Sequence, residues 1–404
     1  MSGDRLEERL ANQAKDMAAE IVGWRRHLHA HPDLSNHEEE TAAFVRDALA
    51  GMGLSPRQPQ PNAVVVDIGP AGAPLIALRA DIDALPVEEE TGLEFASVRR
   101  GVMHACGHDG HMAILLGVAT LMAREERLPG RIRLIFQPAE EVPPGGAEAL
   151  IAAGVLEGVS AIAGLHLWAP LPTGQAVVRP GPAWAAADRF RAVVVGRGGH
   201  GAIPHQAVDA LEIACRGVTA LQSIVSRRVD PLAPAVVTVG RLQAGDAFNI
   251  IAGRAEMEGT VRTFDGALRA QLEEEIERVL RHTAEASGAG LEWEYLRGYP
   301  PLVNDPAVAA ILRQASTRVL GADAVHDGPP QMAADDFARY LQQVPGCYLL
   351  LGCGGQAASP YPHHHPRFRI DEAALVQGTH ILAATAWRLW QTERLTPAPV
   401  QQAT

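Results

Sequence analysis

Lysine is nearly absent from this chain: among its 35 basic residues only Lys15 is not an arginine. The arginines show no clustering, which marks a compositional bias rather than a basic face. Acidic residues are interspersed with them and the net charge is −12, so no nucleic-acid surface is expected. Cysteine is also scarce. Cys106, Cys215, Cys347 and Cys353 form neither a C-x-x-C pair nor a disulfide framework, and reduced thiols fit the cytoplasm. No apolar run reaches the ~20 residues of a membrane span; the longest, 112–123, stops short. The opening stretch, MSGDRLEERLANQAKD, carries both signs of charge and no apolar signal core. A cytoplasmic protein that binds neither membrane nor nucleic acid is the expectation.

What is present is apolar surface enough for a core, 47% of 404 residues, and a length that suits two domains. Residues 4–30 read as one amphipathic helix. Apolar runs at 63–69, 75–81, 131–137 and 161–168 then alternate with helical stretches near 112–124 and 145–153, the pattern of an α/β sheet with mostly parallel strands. After residue 183 the order becomes strand (189–197), helix (207–228), two strands (235–243 and 253–264), helix (266–287) and strand (291–297), which is the ferredoxin-like β-α-β-β-α-β succession. A last α/β portion contains the buried run 347–354. The expected architecture is a catalytic α/β domain, 1–183 and 299–404, interrupted by an α+β domain at 184–298.

Metal-seeking residues punctuate this map. HACGHDGH (104–111) holds three histidines and a cysteine in eight positions, and Cys106-x-His108 offers a thiolate and an imidazole to one point. Asp81 and Asp83 follow the 75–81 strand, Glu140 and Glu141 follow the 131–137 strand, His166 lies near the end of 161–168, and His363, His364 and His365 follow 347–354. Ligands in open α/β sheets sit at the carboxyl ends of strands, so separate segments would deliver donors to one edge. Each piece alone has a plainer reading: a core histidine, a solvated glutamate pair, an exposed histidine loop. His27, His29 and His31 are read as dipole partners at a helix end. Cys347, Cys353 and Cys215 are read as small core residues.

In combination, LRADIDALP, HACGHDGHMA, FQPAEE, GLHLW, GRGGHGAIPH, GTVRTF and the closing H-x-P-x-F resemble the metal-dependent amidohydrolases related to aminoacylase, hippurate hydrolase and the auxin-conjugate hydrolases, a branch of the dimetal aminoacylase/carboxypeptidase group. The resemblance spans nearly the whole chain. It implies a catalytic domain with an inserted ferredoxin-like lid that often mediates a homodimer or higher homo-oligomer. It also implies metal ligands at Cys106, His108, Glu141, His166 and His364, a general base at Glu140, a lid histidine for the substrate carbonyl at His200, and substrate contacts at Asn249 and Arg262. Three positions depart from the family pattern: NIIAG (249–253) for NVIP, Asp335 where glutamate is usual, and a histidine triplet that offers two wrong-register ligands.

The implied chemistry is amide hydrolysis. Five protein ligands exceed one tetrahedral ion, so two divalent ions per subunit are expected, zinc or manganese, with cobalt or nickel also admitted. The expected substrate is an N-acyl amino acid, cleaved to a carboxylic acid and an amino acid. A dipeptidase or carboxypeptidase on the same site is the alternative, and a metal-binding protein without turnover is the rival from another class. Asp83 and Asp109 are read as residues that orient ligands, Asp81 as either ligand or support, and Trp168 and Trp184 as core or acyl-pocket walls.

Overall fold

The computed structural model describes residues 3–355 and 360–392, without the side chains of 3–7. The chain divides into two compact units, one of residues 1–181, 303–329 and 335–404, the other of 182–302 with 330–334. The second unit therefore lies within the sequence of the first. The return of 330–334 had no sequence signal. It is a backbone contact: Gln331 N–H donates to Ala183 O (2.8 Å) and Ala185 N–H to Gln331 O (3.0 Å).

In the first unit the opening helical stretch is two helices, α1 (Gly3–Asp16) and α2 (Ala18–Ala30), broken at Met17. Helix α3 (Glu39–Gly51) and strands β1 (Val64–Ile68) and β2 (Leu75–Asp81) follow, then α4 (His108–Ala123), β3 (Arg131–Gln137) and β4 (Val159–Pro172). The seven-stranded sheet runs β1, β3, β2, β4, Gly346–Gly354, Ala176–Val177, Val325–His326. β3, β2, β4 and Gly346–Gly354 are mutually parallel neighbours, while β1 and Ala176–Val177 pair antiparallel, so the sheet is mixed. β2 is buried along its whole length and α4 is buried on nearly every face, which is why both read as continuous apolar runs rather than alternating ones. The parallel strands share one carboxyl edge, and that edge carries the polar clusters.

The second unit has four antiparallel strands, Gly290–Tyr299, Ala187–Val195, Arg254–Thr263 and Ala235–Ala244 in that spatial order, with helices Ala210–Arg227 and Gly266–Glu285. Its core packs Phe190, Met257 and Val261 of the strands with Ile213, Leu221, Leu272 and Ile276 of the helices. Asp188 ties its own strand to helix Gly266–Glu285 and strand Gly290–Tyr299. Its carboxylate accepts from Arg269 Nε (2.8 Å), Tyr295 Oη (2.9 Å) and Gly298 N (3.0 Å). Among the described residues no helix is long and apolar enough to cross a membrane.

Removing one partner of a buried ion pair strands the other charge, at a cost of about 3–5 kcal/mol. Asp188→Ala is therefore expected to lower the urea midpoint of unfolding markedly, followed by circular dichroism. Arg189→Ala, which breaks an exposed pair with Glu258, is expected to leave the midpoint almost unchanged.

Candidate metal centre

His108 opens α4 directly after Gly107, whose φ of 96° suits glycine and turns the chain sharply into the helix. The His108 Nδ1–H donates to the backbone carbonyl of Asp83 (2.9 Å), with Asp83 Oδ1 at 3.3 Å. That fixes the tautomer and leaves Nε2 facing forward, buried and without a hydrogen-bond partner. It looks toward Glu141 Oε1 at 3.8 Å, itself buried and unpartnered by hydrogen bonds. Glu141 is held by its own backbone N–H on Asp83 Oδ2 (3.0 Å). Asp83 thus places two residues at once, as expected of an orienting carboxylate.

His166 shows the same device. Its Nδ1–H donates to Leu167 O (2.8 Å), which turns Nε2 toward Cys106 Sγ at 3.5 Å. His364 completes the group from the loop after Gly346–Gly354: its N–H donates to Ala105 O (2.8 Å), and its Nε2 lies 3.5 Å from Glu141 Oε1. The triplet is resolved by what its other members do. His363 Nε2–H donates to Leu167 O (2.9 Å) with its ring stacked on Trp168. His365 stacks on Tyr361 and accepts Arg367 N–H at Nδ1.

Donor atoms of Cys106, His108 and His166 lie within 4.8 Å of one another, as do those of Cys106, Glu141 and His364, and of His108, Glu140 and Glu141. The overlapping triplets place all the expected ligands and Glu140 around one space. His111 qualifies by proximity to Asp81 and His108, but both its nitrogens are spent. Nδ1–H donates to Asp81 Oδ1 (2.6 Å) and Nε2 accepts from Leu167 N–H (2.9 Å). Asp81 in turn pairs with Arg79 Nη1 at 2.5 Å, so it supports His111.

The electrostatics of the cluster fit divalent cations. Burial pushes the Cys106 thiol well up, and Glu141, Glu140 and Asp81 push it further. A thiolate there needs a strong positive charge beside it. Burial opposes a charge on His108, but Asp81, Asp83 and Glu141 outweigh it and raise the group to about 10. The unpartnered His108 Nε2 and Glu141 Oε1 face the same space as that thiol, which is the donor chemistry of a metal site. The Arg79 guanidinium, whose charge bears on Glu140, is engaged by Asp81, Asp335 and Asp336.

Arg79 belongs to a feature the motifs did not reveal. Its guanidinium is fully buried, with Nη2 2.7 Å from Asp336 Oδ1 and 3.5 Å from Asp335 Oδ1, and Nε donating to Gln137 Oε1 (2.9 Å). Asp335, Asp336 and Glu140 bring carboxylate oxygens within 4.8 Å of each other. Burial, then Asp335, Glu141 and Asp336, raise Glu140 well above the usual carboxylate range, while Arg79 draws it down. The available signal was the arginine itself, sitting in the otherwise apolar run LIALRA, since a buried arginine requires anionic partners.

Two readings of the HACGHDGH neighbourhood change. Asp109 does not orient a ligand: its Oδ2 accepts from Arg25 Nε and His29 Nδ1, both at 2.8 Å. His29 accordingly is buried between Asp109 and Glu89 rather than placed as a dipole partner. His31 does act at the helix end, its Nδ1–H donating to His27 O (2.8 Å).

Of the other singled-out residues, Trp168 lies in the first unit and His200, Asn249, Arg262 and Trp184 lie in the second. His200 and Asn249 are neighbours there: His200 pairs with Ile250 in a two-stranded ribbon, and Asn249 O accepts from Gly201 N (2.8 Å). The glycines matter for this ribbon, because a Cβ on Gly198 would stand 2.9 Å from Ile251 O. Arg262 is on a different element, strand Arg254–Thr263, half-buried, with Nη1 donating to Thr260 Oγ1 (2.6 Å). Trp184 is buried core, whereas Trp168 flanks His166 edge-on at 5.7 Å between ring centroids.

If the cluster binds metal, Cys106→Ala and His108→Ala should each lose most of the bound metal after loading and dialysis, read by atomic emission. Cys347→Ala and Cys353→Ala should retain it, because both thiols are buried in the first unit's core.

Residues 77–388 match the model of peptidase family M20/M25/M40. The chain is 47% identical over 300 residues to an N-acyl-L-amino acid amidohydrolase of Geobacillus stearothermophilus, covering 74% of this chain and 81% of that one. It is 42% identical to an N-acetyl-L-cysteine deacetylase of Bacillus subtilis, over 92% of this chain and 88% of the other. A crystal structure from Bacillus subtilis, described as a dinuclear metal-binding peptidase of the M20 family, superposes with a TM-score of 0.83 at 36% identity, over 94% of this chain and 99% of that one. The chain belongs to peptidase family M20/M25/M40 and is a metal-dependent amidohydrolase or peptidase of that family.

Proposed function

We propose that this enzyme hydrolyses the amide bond of N-acyl amino acids, releasing a carboxylic acid and an amino acid. The observation that carries the reading is the division of labour within the glutamate pair after β3. Both carboxylates lie near His108, but Glu141 Oε1 also faces His364, whereas Glu140, its neighbour in the same turn, also lies against Asp335 and Asp336. This arrangement supports reading Glu141 as a ligand and Glu140 as the proton acceptor beside it. The names of the Geobacillus and Bacillus relatives support the substrate class.

Cys106, His108, His166, Glu141 and His364 would hold two divalent ions. Such ions supply Lewis acidity, a more acidic water and a polarised carbonyl. Glu140 takes the proton of the attacking water and delivers it to the leaving amine. Asp83 keeps His108 and Glu141 oriented, and Leu167 O fixes the tautomer of His166. His200 would donate to the oxyanion, and Arg262 would make a two-point contact with the α-carboxylate, with Asn249 beside His200 in a lesser substrate contact. Among the described residues no carboxylate pairs with Arg262, which leaves its charge available.

A second reading, carboxypeptidase activity on the same site, is favoured by one relative: a thermostable carboxypeptidase of Saccharolobus solfataricus, 39% identical over 94% of this chain and 98% of its own. Assay of metal-loaded protein on N-acetyl amino acids and N-benzoylglycine beside matched dipeptides and N-blocked dipeptides separates the two. Faster turnover of the peptides would overturn the acyl-amino-acid reading.

Two mutational outcomes test the roles. Glu140→Gln should keep the bound metals and lower kcat by about 10²–10⁴-fold, the usual worth of a general acid–base. Glu141→Gln should instead lower metal affinity, with activity partly restored by excess metal. Loss of metal in the first variant and retention in the second would reverse the pair. Arg262→Ala should raise KM for acyl-amino acids far more than for their carboxamide analogues, which lack the charge; equal effects would remove Arg262 from carboxylate recognition.

A further inference from the structure

Among the described residues, four that are not glycine have positive φ: Asn36 (66°), Asn62 (62°), Ala139 (55°) and His364 (65°). Asparagine enters the left-handed region readily because its short amide can bond locally; alanine has no such compensation. Ala139 is the residue immediately before Glu140. Some outside contact must therefore hold the backbone of the turn in which Glu140 stands.

That contact is Glu38, a carboxylate outside every motif discussed above. Glu38 precedes α3 at the position where a side chain would cap the helix, yet it makes no cap bond. It is fully buried and turned inward. Oε1 accepts from Ala139 N (2.8 Å) and Asn36 N (2.9 Å), and Oε2 accepts from Asn62 Nδ2 (3.0 Å). One carboxylate thus gathers three of the four positive-φ residues. The Ala139 carbonyl is held as well, accepting from Gly146 N (3.1 Å). Glu141, by contrast, is placed independently, through its N–H on Asp83.

We propose that Glu38 is a positioning residue for hydrolysis: by holding Ala139 in the left-handed region it sets where the Glu140 carboxyl stands, separately from the placement of Glu141. The proposal rests on the reading of Glu140 as the general base. The dihedral at residue 139 sets the direction of the next Cα–Cβ bond. Relaxation of Ala139 to negative φ swings the Glu140 side chain while Asp83 keeps the neighbouring ligand in place. The loss should therefore fall on kcat, without loss of metal or substrate affinity.

The test uses full-length, metal-loaded protein with N-benzoylglycine as substrate, metal content by atomic emission and melting by circular dichroism. Glu38→Ala should lower kcat by about 10–100-fold, the scale of an ångström-sized misplacement, with KM and metal content near those of the parent. Glu38→Gln keeps an acceptor oxygen for both N–H groups and should retain kcat within about fivefold, because an amide carbonyl accepts in the same geometry. Ala139→Gly added to Glu38→Ala should recover much of the lost kcat, since glycine enters the left-handed region without a Cβ clash. Parental kcat in Glu38→Ala, or a loss that Ala139→Gly leaves untouched, would overturn the proposal and leave Glu38 a purely structural residue. Should Glu38→Ala fail to fold, Ala139→Val strains the same turn with Glu38 intact; it should lower kcat at constant KM, and parental kcat there would also overturn the proposal. Glu140→Gln in the same assay separates the two ideas. If it is impaired while Glu38→Ala is not, only the positioning role fails; if it keeps parental turnover, the general-base reading fails and this proposal with it.

Discussion

Mutual repulsion among buried carboxylates is the constraint around which the first unit is organised. Asp81, Asp83, Glu140, Glu141, Asp335 and Asp336 converge at the carboxyl edge of the parallel strands, and most are withdrawn from water. Such a concentration of negative charge is unstable unless each group is given a donor or a cation. Arg79 answers part of it, reaching Asp81, Asp335 and Asp336 from the middle of the buried strand β2. Backbone N–H groups answer another part, at Glu141 on Asp83 and Ala147 on Asp336. What is left uncompensated is the space between His108, Glu141, Cys106 and His364. The same charge imbalance that would weaken the fold makes that space the candidate site for the proposed divalent ions.

This division explains why the supporting residues outnumber the proposed ligands. Three imidazoles at the site have their remaining nitrogens occupied: His108 by Asp83 O, His166 by Leu167 O, and His111 at both nitrogens by Asp81 and Leu167. Leu167 is used once more, its carbonyl also receiving His363. A single strand residue therefore aligns the histidines of three segments through its backbone. Backbone groups are suited to this because the sheet ladder holds them more rigidly than any side chain could be held.

Much of the fold was legible because burial writes itself into periodicity. The runs 75–81 and 131–137 coincide with β2 and β3, and both are buried nearly throughout. The break at Met17 and the return of 330–334 to the second unit were not legible. The first leaves the amphipathic pattern intact on either side, and the second is made through backbone bonds that side chains do not announce. In the site, Cys106, His108, Glu141 and His166 stood out as metal-seeking types, the first two by their close spacing and the others beside apolar strand runs. Arg79, Asp336 and Glu38 did not, because a charged residue looks the same in sequence whether it meets water or a buried partner.

The sequence by itself determined the chemistry available: which elements form, and which soft and hard donors lie at the ends of which strands. Those are local properties, set by side-chain type and by spacing along the chain. The tertiary structure decided which nitrogen of each histidine is turned forward, which member of the triplet approaches Glu141, and that His111 and Asp109 are engaged elsewhere. It also decided that Ala139 holds a left-handed backbone against the carboxylate of Glu38, a hundred residues before it. The physical reason is that hydrogen-bond direction and strain exist only between groups brought together by folding, and no residue carries them alone.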